Sequence, residues 1–201
     1  MFPWSFKRSS AAARRPALAD AVPAKQMDLV REIAPGAHEV GLITNLKDPK
    51  APPQAQELEA AAKILEVTIK TVDVNSPQEI DGAMQALASQ RVDVVIVLQT
   101  TLLLSLGRRI AELALAKRLP TIYGYREHVL AGGLISYGVD LSWCYRRSAH
   151  FVDKILQGTP PGDLPVEFPN KMVLSVNLKT AKALALRISE AFLLRADEVI
   201  E

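Results

Sequence analysis

Apolar residues along this chain fall into two alternating patterns, short continuous runs and stripes at helical spacing, and their succession predicts the fold. The runs Val40 to Thr44, Val67 to Val74, Val92 to Leu98 and Thr121 to Tyr123 have the length and β-branched content of buried strands. Between them, three sets recur on one helical face: Leu58, Ala62 and Leu65; Ile80, Ala83, Met84 and Leu87; and Leu106, Ile110, Leu113 and Ala114. Pro35-Gly36 ends a first short helix carrying Met27, Val30 and Ile33, Pro53 suits a helix start, and Ser76-Pro77 with Glu79 opens the next helix. Gly132-Gly133 leads into a fifth run, Leu134 to Tyr137. Apart from Asp93, the run Val92 to Leu98 is apolar throughout, as a central parallel strand buried on both faces must be. Residues 38–138 therefore read as βαβαβαβ closed by a fifth strand after a short helical turn, a parallel α/β layer.

After that layer the pattern changes. Leu141, Tyr145, Ala149, Val152 and Leu156 mark one long amphipathic helix, stopped by Gly158 and the breakers Thr159-Pro160-Pro161-Gly162. A linker reaches Pro169, Met172 to Val176 reads as another strand, Asn177 as the cap of a short helix through Leu184, and Ser189 to Leu194 as a last helix. At the other end, residues 1–24 mix Pro, Ser, Ala and Arg without sustained period, which predicts a disordered or loosely docked lead with order beginning near Ala24.

Composition narrows the class. A chain of 201 residues with 49% hydrophobic content builds one sizeable core. No apolar segment approaches the ~20 residues of a membrane-spanning helix, and the amino terminus has no continuous apolar stretch of the secretory-signal kind. Lys7, Arg8, Arg14, Arg15 and Lys25 stand against Asp20 in residues 1–26, so the formal net charge of +2 divides into +4 there and −2 over the remaining 19 basic and 21 acidic residues. Such a lead can meet nucleic acid or anionic lipid, or simply be solvated. Arg108-Arg109, Lys117-Arg118 and Arg146-Arg147 fall mostly on solvent faces with no aromatic stacking motif, so nucleic acid is not an expected partner. Cys144, the only cysteine, allows no intramolecular disulfide.

Candidate chemistry concentrates in PTIYGYREHVLAGGLISYG, residues 120–138. In open α/β sheets small molecules bind beyond the carboxyl ends of the strands, where loops aim side chains into one crevice. Arg126 could clamp a ligand carboxylate and Glu127 could accept from an ammonium group, or the two could pair with each other or with neighbours. Tyr123, Tyr125 and Tyr137 fit either the wall of a site or the core. Asn45, Gln99 and Thr100 each fall just past a predicted strand, where they could reach a ligand, and Thr100 could equally cap the next helix. Catalysis is not expected: His38, His128 and His150 are scattered, with no HExxH, no Cys/His pair at metal spacing and no GxSxG. Gly132-Gly133 lacks both phosphate-loop patterns and reads as a strand entry. No cofactor is expected.

Three stretches carry a family resemblance: IAELALAKRLPTIYGYREHVLAGGLISYG, then YRRSAHFVDKILQGTPPGDLPVEFPNKMVLSVNLKTAKALAL, then LLRADEVIE. Together, and across about residue 25 to the end, they resemble the carboxyl-terminal portion of ABC-transporter substrate-binding proteins related to the tryptophan/tyrosine binding component. The resemblance implies a two-lobed periplasmic binding protein of type I that closes on an amino acid or similar solute and delivers it to an ABC permease. It divides the chain into an atypical basic lead (1–24), an α/β second lobe (25–138), a crossover helix and linker (139–169) and a returning strand with carboxyl-terminal helices (170–201). Members begin with an export signal and a complete first lobe, and this sequence matches neither. The expected compartment is therefore the periplasm by resemblance, with cytoplasmic retention as the alternative. His128 stands where an aromatic residue is expected, a difference expected to affect surface detail. The layout implies that the crossover helix would pack on a first lobe, leaving Leu141, Tyr145, Val152 and Leu156 uncovered and prone to self-association or to packing on the chain's own lobe. The expected solute residues are Asn45, Gln99, Thr100, Tyr123, Arg126, Glu127 and Tyr137. The competing reading is a cytoplasmic ligand-sensing regulatory or interaction module with a basic lead.

Overall fold

The computed structural model describes residues 22–201. The lead expected to be loosely held lies outside them except for its last residues, which already belong to helix α1, Val22–Ile33. Five parallel strands follow in sequence: β1 Glu39–Thr44, β2 Thr68–Asp73, β3 Val94–Val97, β4 Thr121–Tyr123 and β5 Ile135–Val139. They are joined by α2 Ala51–Ile64, α3 Ile80–Ser89, α4 Thr101–Ser105, α5 Gly107–Ala116 and the short α6 Arg126–Leu130. After α7 Leu141–Leu156 come β6 Met172–Asn177, α8 Leu178–Ala183, α9 Glu190–Leu193 and β7 Glu198–Ile200. The sheet order is β2-β1-β3-β4-β5-β6-β7, with β6 antiparallel to β5 and β7 parallel to β6. The fold is thus a mostly parallel α/β layer.

Side-chain alternation along β3 shows why the helices cover both faces. Val94 and Ile96 join a core with Met27 and Val30 of α1, Leu58 of α2 and Phe192 of α9, while Val95 and Val97 join one with Met84 and Leu87 of α3 and Ile110 of α5. A strand buried on both faces tolerates no polar side chain within it. Asp93 accordingly sits just before β3, accepting hydrogen bonds from the main-chain N–H groups of His38 (2.8 Å) and Glu39 (2.9 Å) and so fixing the entry to β1.

Three local expectations change. The stripe through Leu106 and Ile110 is broken at Leu106 into α4 and α5. Ser76-Pro77-Gln78-Glu79 forms a 3-10 turn ahead of α3, with Glu79 accepting from Asn75 N–H and Ser76 Oγ. The tail Glu198–Ile200, which carries only three residues of strand character, becomes β7 by pairing with β6. Gly133 explains the glycine pair before β5: a Cβ there would lie 2.5 Å from the Tyr123 ring and 2.8 Å from the His128 carbonyl oxygen, so the pair serves close packing.

Candidate functional site

Parallel pairing brings the carboxyl ends of β1, β3, β4 and β5 to one edge of the sheet, and the loops leaving them form a polar crest. Its first part is built on the Asn45 turn. Asn45 Nδ2 donates to the carbonyl oxygen of Val74 (2.6 Å), and its Oδ1 accepts from the Asp48 N–H (3.0 Å). Asp48 then accepts from the N–H groups of Lys50 and Thr101, both at 3.0 Å. Burial pushes the Asp48 carboxyl up, but these donors outweigh it and hold the group below the usual aspartate range.

A glutamine brace links the next loops. Gln54 of α2 grips the main chain of Gln99 from both sides, donating to its carbonyl oxygen (3.2 Å) and accepting from its N–H (3.1 Å). Gln99 Nε2 in turn donates to the carbonyl oxygen of Gly124. The side chain lies so close over the ends of β4 and β5 that a Cβ at Gly124 would come within 1.9 Å of Gln99 Cγ, and one at Gly138 within 1.9 Å of the Gly124 oxygen.

Beyond Gly124 stand Tyr125, Arg126 and Glu127. The phenol of Tyr125 is pushed up first by burial and then by the negative charges of Asp48 and Glu127 and by Tyr145. Arg126 is committed elsewhere: its guanidinium forms a bidentate ion pair with Glu198 of β7, and Glu198 also accepts from Ser175 Oγ at 3.2 Å. The Arg126 guanidinium holds Glu198 below the usual glutamate range. Glu127 is the opposite case, with Oε2 enclosed and without a hydrogen-bond partner among the described residues.

At the β5–β6–β7 end of the crest, Arg126, Asp140, Ser142, Lys171, Val173, Asp197 and Glu198 line an open cavity of about 490 Å³. Asp140 caps α7 through the Trp143 N–H (2.9 Å) and pairs with Lys171 (3.0 Å). Its carboxyl is held below the usual aspartate range by the Trp143 N–H first and Lys171 second.

The seven residues expected at the site therefore divide. Gln99 and Arg126 reach the crest, but Gln99 Nε2 is donated to the Gly124 carbonyl oxygen and Arg126 is paired, the alternative that its sequence context left open, while the Glu127 Oε2 is enclosed. Asn45 and Thr100 stand at strand ends but spend their side chains on the backbone: Thr100 caps α4 by accepting from Leu103 N–H (3.3 Å). Tyr123 corrects the expectation of an aromatic wall, while Tyr137 is only partly buried. Tyr123 is fully buried in the α3/α5 core, where burial drives its phenol pKa well up, and Tyr137 packs against the α1 core. Consecutive strand residues face opposite sides, and the aromatic that ends β4 is the one turned toward the α3/α5 core.

His128 also departs from expectation. It is 1% exposed, stacked on Tyr123 with ring centroids 4.7 Å apart, with Nε2 at 3.1 Å from the Leu103 carbonyl oxygen. It fills an aromatic slot in the interior. Sequence reading missed Asp48, Gln54 and Glu198, of which only Asp48 carries a signal, an Asn-x-x-Asp turn directly after a strand. Among the described residues no group of His, Cys, Asp or Glu could hold a metal ion, and no helix is long and apolar enough to cross a membrane.

A family model described as ABC transporter substrate binding protein matches residues 18–200. The chain belongs to that family. A tyrosine-binding protein of Clostridioides difficile (strain R20291) is 24% identical over 160 residues, covering 80% of this chain and 46% of the relative. Among solved structures, an ABC domain in complex with L-Trp from Streptococcus pneumoniae superimposes with a TM-score of 0.81 at 24% identity, covering 89% of this chain and 60% of the other. A conserved domain protein of Vibrio cholerae O1 biovar El Tor gives a TM-score of 0.77 at 24% identity, covering 88% of this chain and 60% of the other. The chain spans about half the length of the curated relative it matches. The chain shares its α/β architecture with these solved structures.

Proposed function

We propose that this chain is a solute-binding component of an ABC uptake transporter, recognising an amino acid or similar small solute without transforming it and serving a membrane permease from outside the cytoplasm. The observation that carries the reading is the family match over residues 18–200. The polar crest supports it, because a row of strand carboxyl ends is where an open α/β sheet receives small molecules. The relatives named for tyrosine and bound to L-Trp favour an aromatic amino acid.

In this reading residues 25–138 and 170–201 form one lobe, and residues 139–169 cross toward a second body. Gln99, Tyr125 and Glu127 bear on the solute, while Asn45 and Thr100 shape the loops. One wall recognises a solute without enclosing it, so binding by this chain alone is weak, since enclosure and closure supply most of the buried area. Calorimetry and thermal shift with aromatic, branched and polar amino acids test the reading. Saturable binding of one class is expected; absence of binding by every amino acid tested overturns it.

The state of α7 favours an accompanying reading. None of its sixteen residues is buried, and Tyr145 (74% exposed), Val152 and Leu156 (82% exposed) form an apolar stripe without cover. In concentrated solution the chain self-associates through this face. Sedimentation velocity over a concentration series checks it, with Val152→Glu and Leu156→Glu expected to hold the protein monomeric.

A further inference from the structure

The apolar stripe of α7 has a symmetry that restricts what can cover it. Leu141, Tyr145, Val152 and Leu156 lie on one helical face, and their spacing reads the same from either end. The midpoint falls at Ser148 and Ala149, both small and both exposed. Ser148 Oγ already donates to the Cys144 carbonyl oxygen (2.9 Å), so covering the middle of the stripe leaves that hydroxyl with a partner.

The two flanks of the stripe differ. One is closed by the chain's own linker: Glu167 is held by Arg147, which lies over the Phe151 ring, and Trp143, Cys144, Phe168 and Pro169 line the narrow cavity between helix and linker. The other flank is open and carries Arg146 and Asp153, both exposed and about two turns apart. Neither joins an ion pair among the described residues. Turning the helix end for end about its midpoint brings Arg146 to within about 3 Å, along the axis, of the level of Asp153. A two-fold axis keeps the open flank of one copy beside that of the other, so each Arg146 meets an Asp153 across the contact.

We propose that the occupant of this face is α7 of a second copy, running antiparallel about a two-fold axis at Ser148 and Ala149. Leu141 lies level with Leu156 of the second copy and Tyr145 with its Val152. The small residues at the crossing let the helices approach closely, and two Arg146–Asp153 pairs close the open flank. This rests on the self-association of α7 proposed above and gives it one geometry and one partner. The amino end of α7 follows the carboxyl end of β5, so the two crests stand at opposite ends of the helix pair and stay open to solute.

Sedimentation velocity of the full chain over a concentration series tests the arrangement in four proteins: the parent, Arg146→Glu, Asp153→Arg and the double variant. Each single reversal sets like charges against each other at both symmetry-related contacts and should weaken the dimer about tenfold. The double reversal restores opposite charges and should return the dissociation constant to within about twofold of the parent. Unfolding midpoints should agree within error, since both positions are exposed. In a Cys144→Ser background, Ala149→Cys should oxidise to a disulfide-linked dimer, whereas His150→Cys, on the opposite face, should not. A dimer indifferent to the single reversals, or not rescued by the double one, overturns the two-fold arrangement and leaves α7 self-association standing if Val152→Glu still abolishes it. A monomer at every concentration overturns both. Solute binding enters neither outcome, so the solute-binding reading stands or falls separately.

Discussion

Individual residues at the crest are constrained more by space than by chemistry. At Gly124 an added methyl meets the flexible Gln99 side chain, whereas at Gly138 it meets the Gly124 main-chain oxygen. Gly124→Ala should therefore destabilise by about 1–3 kcal/mol, mostly by displacing Gln99, and Gly138→Ala by more, since backbone cannot yield. Chemical denaturation gives both values. His128 supplies a pH dependence. Burial lowers its pKa below that of a free imidazole, against the opposing pull of the Leu103 and Tyr125 backbone groups. The unfolded chain then binds a proton below about pH 6.5 while the folded chain resists it, so stability present above that value is lost as pH falls toward the depressed folded value. His128→Phe should flatten unfolding free energy over that window and keep the aromatic stack.

Elements are held by a few long-range ties whose partners lie far apart in sequence. The Arg126–Glu198 pair joins residues 72 positions apart and anchors a strand of three residues that could not persist alone. Because Glu198 is held below its ordinary value, this tie contributes above about pH 4.5 and fades as acid protonates the carboxylate. Both side chains are partly solvated, so the contribution is about 1 kcal/mol or less. Glu198→Gln should lower stability at neutral pH by about that amount and erase the difference from the parent at low pH, and hydrogen exchange should localise the loss to β7. In α7 the opposite condition holds. Polar substitutions at Val152 or Leu156 should move the unfolding free energy by less than about 0.5 kcal/mol, the usual value for an exposed site. Phe151→Ala should move it further, since Phe151 is partly buried beneath the Arg147 guanidinium that Glu167 holds in place.

At the scale of the whole molecule, five parallel strands and their helices were legible from apolar runs and stripes, because a strand buried on both faces cannot disguise its composition. Val94 to Val97 is the clearest instance. The long helix over Leu141–Leu156 was legible for the same kind of reason, whereas its uncovered stripe was implied by the family layout only as one of two alternatives. The candidate site was legible only as a region. Periodicity placed Asn45, Gln99, Thr100, Tyr123, Arg126, Glu127 and Tyr137 near strand ends, but whether a polar group there is spent or free depends on atoms that sequence distance hides. Gln54 reaches Gln99 across 45 positions and Arg126 reaches Glu198 across 72. The sequence by itself determined the α/β class, the strand and helix succession and membership of the substrate-binding family, since these follow from local periodicity and from long shared stretches. Only the tertiary structure decided that Tyr123 belongs to a core, that Thr100 is a cap, that Arg126 is a tie and that the Glu127 oxygen is enclosed without a partner among the described residues. Burial and hydrogen-bond satisfaction are properties of the assembled neighbourhood, and no single stretch of chain contains them.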